Sequence, residues 1–358
     1  MRLSSRTALA AAAVACATAL AACGTDTSGA ADDDDEISVV ASTNVWGSIA
    51  QAVAGDRVEV RSLITEPNAD PHSYEASPLD AAAISDASLV VYNGGGYDHF
   101  VDDILGATGD KPAVVEAFAL FESGAYSDLH AGHDHSDEDG TDDATESGSE
   151  TTVSEDHSHE SGEVSDAAVA GGGHSHEGHD HGGINEHVWY DLATADAVAH
   201  AVAEQLTELD PDGAAVYEAN AAAFHENLHY VADVIDKLAD THGDAPIAQT
   251  ETIGHYLVSA ATLDDVTPPD FTDAIENGTD PSPAAIAATR QLLVDKQVRV
   301  LIYNPQTQDR ISREMRTAAE SSGVPVVEVF ETLPEGVDYI QWQARTAETL
   351  AAALETAS

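Results

Sequence analysis

The chain has 358 residues and a formal charge of −52, with 65 acidic side chains against 13 Lys and Arg. So acidic a balance excludes nucleic acid and anionic ligands as natural partners, because phosphate binding needs positive charge; it favours cations. Adaptation to salt also produces an acidic surface, and outside the histidine-rich middle of the chain the two readings stand level.

Arg2 and Arg6 precede an apolar run from Thr7 to Leu20 that is too short to span a bilayer and ends in Leu20-Ala21-Ala22-Cys23. A basic start, a short apolar stretch and small residues before a cut mark residues 1–22 as a secretory signal peptide. Leu-Ala-Ala-Cys resembles the bacterial lipobox, which makes Cys23 the lipidated first residue of an extracytoplasmic, membrane-anchored protein. Cys16 leaves with the signal, so no free thiol remains and any metal site must be built from nitrogen and oxygen. Residues 23–36 are small and then acidic, a flexible tether that cannot bury a core.

From Ile37 strand and helix alternate: ISVVAST, a helix through WGSIAQAVA, VEVRSLI, a short helix SPLDAAAISDA with Ser77 as N-cap, LVVYNGGG and AVVEAF. Strands this apolar are buried on both faces, as in a parallel sheet with helices outside. This first α/β lobe is expected over 37–209 and includes an insertion at 122–184. Helix resumes at LATADAVAHAVAEQLTEL, and Pro211 opens a long helix to about Asp240, a stiff linker over 210–241. A second α/β lobe over 242–358 follows: strand APIAQTE, a helix through about Leu263, a Pro-rich excursion DVTPPDFTDAIENGTDPSP, helix AAIAATRQLLVDKQ, strand VRVLIYN, helix DRISREMRTAAESSG, strand VPVVEVF and a terminal helix from about Ile340.

Within the insertion His130, His133, His135, His157, His159, His174, His176, His179 and His181 stand mostly in HxH or HxxH pairs among carboxylates, without one Lys or Arg. Neutral imidazole is the commonest ligand for zinc, copper and nickel, so the tract is expected to gather metal, while its Gly/Ser-rich acidic background is expected to be disordered. It ends at Asn185-Glu186-His187-Val188-Trp189-Tyr190-Asp191, which places His187 at the edge of folded protein.

His72 lies in the loop after strand VEVRSLI, at the carboxyl end of a parallel strand, where open α/β sheets place their ligands. Glu251 ends strand APIAQTE and Asp309 follows VRVLIYN. With His187 these residues offer two imidazoles and two carboxylates from both lobes, a plausible nitrogen-and-oxygen site for a divalent cation. Gly94-Gly95-Gly96 reads as a strand-end turn, since no phosphate-loop Lys follows. Trp189 is expected in the core or walling the site. His255 reads as a packing or surface residue, and His200, His225, His229 and His242 as solvent-facing.

DPHSYEASPLD, NEHVWYDLATA, the Ala/Tyr/Asn-rich linker helix, QTETIGHYL and VRVLIYNPQTQDR resemble the solute-binding lipoproteins of bacterial zinc and manganese ABC importers. The resemblance runs from about Ser38 to the end of the chain. It implies two α/β lobes with parallel sheets bridged by one long rigid helix, metal held in the cleft, no enzymatic activity, a monomer, and an ABC permease with its ATPase as partners. Carried over residue by residue, its ligands fall on His72, His187, Glu251 (His in many zinc receptors, Glu in many manganese receptors) and Asp309, where NPQTQD departs from the usual acidic pattern. Tyr256 matches the aromatic that follows the third ligand. The acidic, His-rich insertion resembles the zinc branch, so Zn²⁺ is expected before Mn²⁺. A zinc metallohydrolase and a metal-storing adhesin are the alternatives from other classes; there is no HExxH, and no candidate base beyond the ligands themselves.

Overall fold

A computed structural model describes residues 37–67, 69, 71–109, 111–124 and 184–356. The expected signal peptide, the expected tether with Cys23 and the nine paired histidines of the insertion lie outside the described residues. From Ile37 onward the chain forms one compact unit.

The first lobe is built from β1 (Val39–Thr43), α1 (Asn44–Ala54), β2 (Val60–Ile64), α2 (Pro78–Ser85), β3 (Leu89–Tyr92), α3 (Phe100–Ala107), β4 (Ala113–Glu116), α4 (Ala117–Ser123) and α5 (Leu192–Leu209). Its sheet is parallel throughout, in the order β2-β1-β3-β4, with Val39 opposite Val60 on one side and Leu89 on the other. The apolar runs VVAST and LVVY occupy the middle because every residue in them is buried, while the edge strands β2 and β4 each expose a position to solvent, Arg61 and Val114. Ser77 caps α2 in a reciprocal capping box: its hydroxyl accepts from the Asp80 amide, and the Asp80 carboxylate accepts from the Ser77 amide.

The connecting helix α6 (Ala214–His242) runs for 29 residues, about 43 Å at 1.5 Å per residue. Pro211 does not begin it but opens a short 3-10 turn, Pro211–Gly213, that leads into it. Its apolar stripe Tyr217, Phe224, Leu228, Val231, Ile235 and Leu238 is buried. At the first lobe the Asn220 amide donates to the Val53 carbonyl; at the second, the Phe224 ring lies 5.8 Å from that of Tyr339.

The second lobe repeats the plan with β5 (Pro246–Gln249), α7 (His255–Ala260), β6 (Asp264–Asp265), α8 (Pro269–Glu276), α9 (Pro283–Val294), β7 (Val300–Tyr303), α10 (Arg310–Ser322), β8 (Val326–Glu328) and α11 (Tyr339–Thr356). Its parallel sheet has the order β6-β5-β7-β8. Three further details differ from the sequence reading. The Pro-rich excursion contains a helix, α8, because Pro269 sits in its first turn, where a missing amide proton costs nothing. The segment after β5 is a 3-10 turn, Thr252–Gly254, followed by the short α7 rather than one helix to Leu263. The chain also leaves β4 at Glu116 and turns helical at Ala117, so AVVE is strand and the following Ala117-Phe118 opens α4.

The lobes close on one another through buried polar contacts. The Tyr97 hydroxyl donates to Glu331, which also accepts from the Asn304 amide, and the Tyr339 hydroxyl and the Gln343 amide both donate to the Trp189 carbonyl. Tyr97 is presented by the turn Gly94-Gly95-Gly96, where φ is +75°, +64° and +89°. A Cβ at Gly95 would lie 2.6 Å from the buried Phe118 ring. Gly95→Val, which adds a β-branched side chain to a left-handed backbone, should destabilise the protein by at least about 2 kcal/mol; an unchanged urea midpoint would show that the turn has another way to relax.

Candidate metal centre

His72 lies in a 3-10 turn, Pro71–Ser73, beyond the carboxyl end of β2, and His187 immediately precedes another, Val188–Tyr190, that leads into α5. The two imidazole rings are 6.1 Å apart. Glu186 joins them: its carboxylate is 3.6 Å from His72 Nδ1, and one ligand atom from each of His72, Glu186 and His187 lies within 4.8 Å of the others. Aromatic walls hold the pair in place. The Tyr97 ring meets the His72 ring edge-on at 4.7 Å, and Trp189 meets His187 in the same way at 5.1 Å, so Trp189 serves both the core and the site wall.

His187 is almost fully buried. Burial, with His72 and His255 adding to it, holds its imidazole well below the ordinary histidine range, so it stands neutral at pH 7 with a lone pair to offer. Its tautomer is set by Asn185. The Asn185 amide nitrogen donates to Thr252 Oγ1 at 2.7 Å, and its Oδ1 accepts the backbone amide of His187, which fixes the orientation of the amide group. That same Oδ1 stands 2.9 Å from His187 Nδ1, which therefore carries the proton and leaves Nε2 as the basic atom. Asn185 thus connects the His187 ring to the residue after Glu251 in the other lobe, and the Tyr256 hydroxyl closes the connection by donating to the Asn185 carbonyl.

The second lobe lines the opposite wall. His72, Glu251, Glu276, Thr307 and Asp309 border one cavity of about 340 Å³. Glu251 is buried and accepts the Thr307 hydroxyl at 2.6 Å. Asp309 is the N-cap of α10, its carboxylate accepting the Ser312 amide at 2.6 Å. Both residues border the cavity, but their carboxylates stand outside the close group formed by His72, Glu186 and His187. Two acidic residues the sequence reading passed over stand close to the histidines. Glu186 is the neighbour of His187 in the chain, and Glu276, at the end of α8, reaches to 3.9 Å from His187 Nδ1. Burial and then Glu276 push the Glu186 carboxyl up to about 7, and burial likewise raises Glu276 despite the hydrogen bond it accepts from Thr252. Crowded carboxylates whose ionised forms burial disfavours, beside a neutral imidazole, are what a divalent cation would relieve.

The family model described as zinc-uptake complex component A, periplasmic (ZnuA), matches residues 39–353. The chain belongs to this family. ZnuA relatives include the manganese-binding lipoprotein MntA of Halalkalibacterium halodurans, 25% identical over 211 residues, which cover 58% of this chain and about half, 51%, of that protein. The metal ABC transporter substrate-binding lipoprotein SsaB of Streptococcus sanguinis is 23% identical over 83% of this chain and 80% of its own length. Among solved structures the periplasmic zinc-binding protein TroA of Treponema pallidum has the same fold, with a TM-score of 0.63 at 15% identity over 89% of this chain and 99% of that one. This is a family of substrate-binding proteins of metal importers and not of enzymes, which sets the metallohydrolase reading aside.

Proposed function

We propose that this ZnuA-family chain captures a divalent metal ion, zinc, in the cleft between its lobes and delivers it to an ABC permease driven by its ATPase, while tethered to the membrane through Cys23. His72 and His187 supply the nitrogen donors, and Glu251 and Asp309 supply oxygens from the facing lobe. Glu186 and Glu276 set a negative field around the ion. The observation that carries the reading is the neutral, tautomer-fixed imidazole of His187 held 6.1 Å from that of His72 among carboxylates of both lobes.

The metal is zinc rather than manganese. Imidazole pairs and the general order of divalent affinities favour Zn²⁺ at any mixed nitrogen and oxygen site. The carboxylates harden the cleft and favour manganese instead, the metal in the name of MntA. Growth separates the two: loss of the protein should impair growth under chelation in a way that zinc alone relieves, and relief by manganese but not by zinc would reverse the assignment.

The insertion plays a different part. Each of its histidine pairs offers a metal only two nitrogen donors, so the tract binds several ions weakly, whereas the cleft gathers donors from both lobes. Deleting residues 129–182 should lower the zinc stoichiometry in calorimetry and leave one tight site. Disappearance of the tight site would make the tract itself the receptor.

A further inference from the structure

Away from the cleft, on the flank of the first lobe, α5 and the connecting helix α6 bring a second set of metal-ligating side chains together. Asp196 and His200 stand one turn apart on α5, and His225 and His229 one turn apart on α6. The sequence reading placed these histidines towards solvent; in the structure His200 and His225 both turn to Asp196. His225 Nδ1 is 3.0 Å from Asp196 Oδ2, His200 Nε2 is 3.8 Å from Asp196 Oδ1, and one ligand atom from each of the three residues lies within 4.8 Å of the others. The His229 ring stands 4.9 Å from that of His225.

Asp196 makes this more than a surface cluster. Asp196 is 4% exposed, yet its Oδ1 is buried with no hydrogen-bond partner among the described residues. Leaving a buried carboxylate oxygen unmatched is costly, and an apolar residue at this helix–helix contact would pack without that cost. A cation would satisfy it. Ligand atoms about 2.0–2.1 Å from a tetrahedral zinc lie roughly 3.4 Å from one another, close to the separations seen here, so small side-chain rotations suffice.

We infer that Asp196, His200 and His225 form a second divalent-cation site, suited to zinc, that clips α5 of the first lobe to the connecting helix. Two imidazoles and one carboxylate select zinc over magnesium, calcium or manganese. His225 and His200 are each about a third exposed, which leaves a coordination position to water or to His229 and makes this site weaker than an enclosed one. It is independent of the cleft, since none of its residues borders the cavity of His72 and Glu251.

The test uses the full chain carrying His72→Ala and His187→Ala, stripped of metal, with its thermal midpoint measured with and without Zn²⁺. Zinc at 100-fold above the dissociation constant should raise the midpoint by on the order of 5 °C, and adding His225→Ala or His200→Ala should remove most of that rise. Because the readout is the difference between these chains, zinc held elsewhere does not mimic the result. No zinc-dependent rise, or one that survives both substitutions, overturns the proposal. A lower midpoint in metal-free His225→Ala with an unchanged response to zinc would equally overturn it, leaving Asp196 and His225 as a plain hydrogen-bonded pair.

Discussion

Replacing either His72 or His187 with alanine is expected to weaken zinc binding by more than the roughly 10–100-fold that the loss of an outer-shell partner alone costs a metal site. The two variants should differ in stability. His72 is partly exposed, so its loss removes a donor and little packing. His187 is buried against Trp189 and Tyr97, so alanine there also opens a cavity and should lower stability by about 1–3 kcal/mol. Calorimetry on chains lacking residues 129–182 isolates the cleft, and denaturation of the same chains reads the packing. Near wild-type affinity in both variants would remove these histidines from the site. Lost affinity in both, with lost stability only in His187→Ala, is the signature of two ligands in unequal surroundings.

The elements most legible in the sequence were those whose signal is local. The runs VVAST, LVVY and VLIY read as buried parallel strands because they are apolar over most of their length and carry no charge, and they became the central strands. Ser77 read as a cap because its partner lies three residues on. His187 drew notice because apolar residues return just after it. What escaped depends on residues distant in the chain. Glu276 belongs to a helix hidden behind Pro268-Pro269, which looks like a break until Pro269 is placed at the first turn, where proline is welcome. β6 is a pair of exposed aspartates at a sheet edge, with no apolar pattern to find. Glu186 was in plain sight, but its closeness to His72 follows from how two loops converge. Asp196, His200 and His225 show only helical spacing until α5 and α6 are packed face to face. One-turn pairs of this kind on two amphipathic helices are a weak signal worth testing for convergence.

Acidification should move the metal-free and metal-bound proteins in opposite directions. The Glu186 carboxyl, pushed up to about 7 by burial and Glu276, holds its proton more tightly in the folded chain than in the unfolded one. An acid with a raised folded pKa penalises the fold when ionised, so the penalty is fully present above about pH 7 and fades as pH falls towards the unfolded value near 4.3; a shift of that size is worth about 4 kcal/mol. With this group dominant, metal-free protein should gain stability between pH 7 and 5. Zinc affinity should do the reverse. The cation requires the carboxylate charged, so below pH 7 each unit costs about tenfold from this group alone, or about 100-fold by pH 5, with close to one proton released per zinc bound at the acid end of the range. His187 does not add to this, because its depressed value keeps it neutral. Glu186→Gln separates the causes: it should flatten the gain in metal-free stability and reduce by one the protons released on binding, while weakening zinc at neutral pH. Calorimetry in buffers of different ionisation enthalpy counts the protons directly, and an unchanged count in Glu186→Gln would place the ion out of reach of that carboxylate.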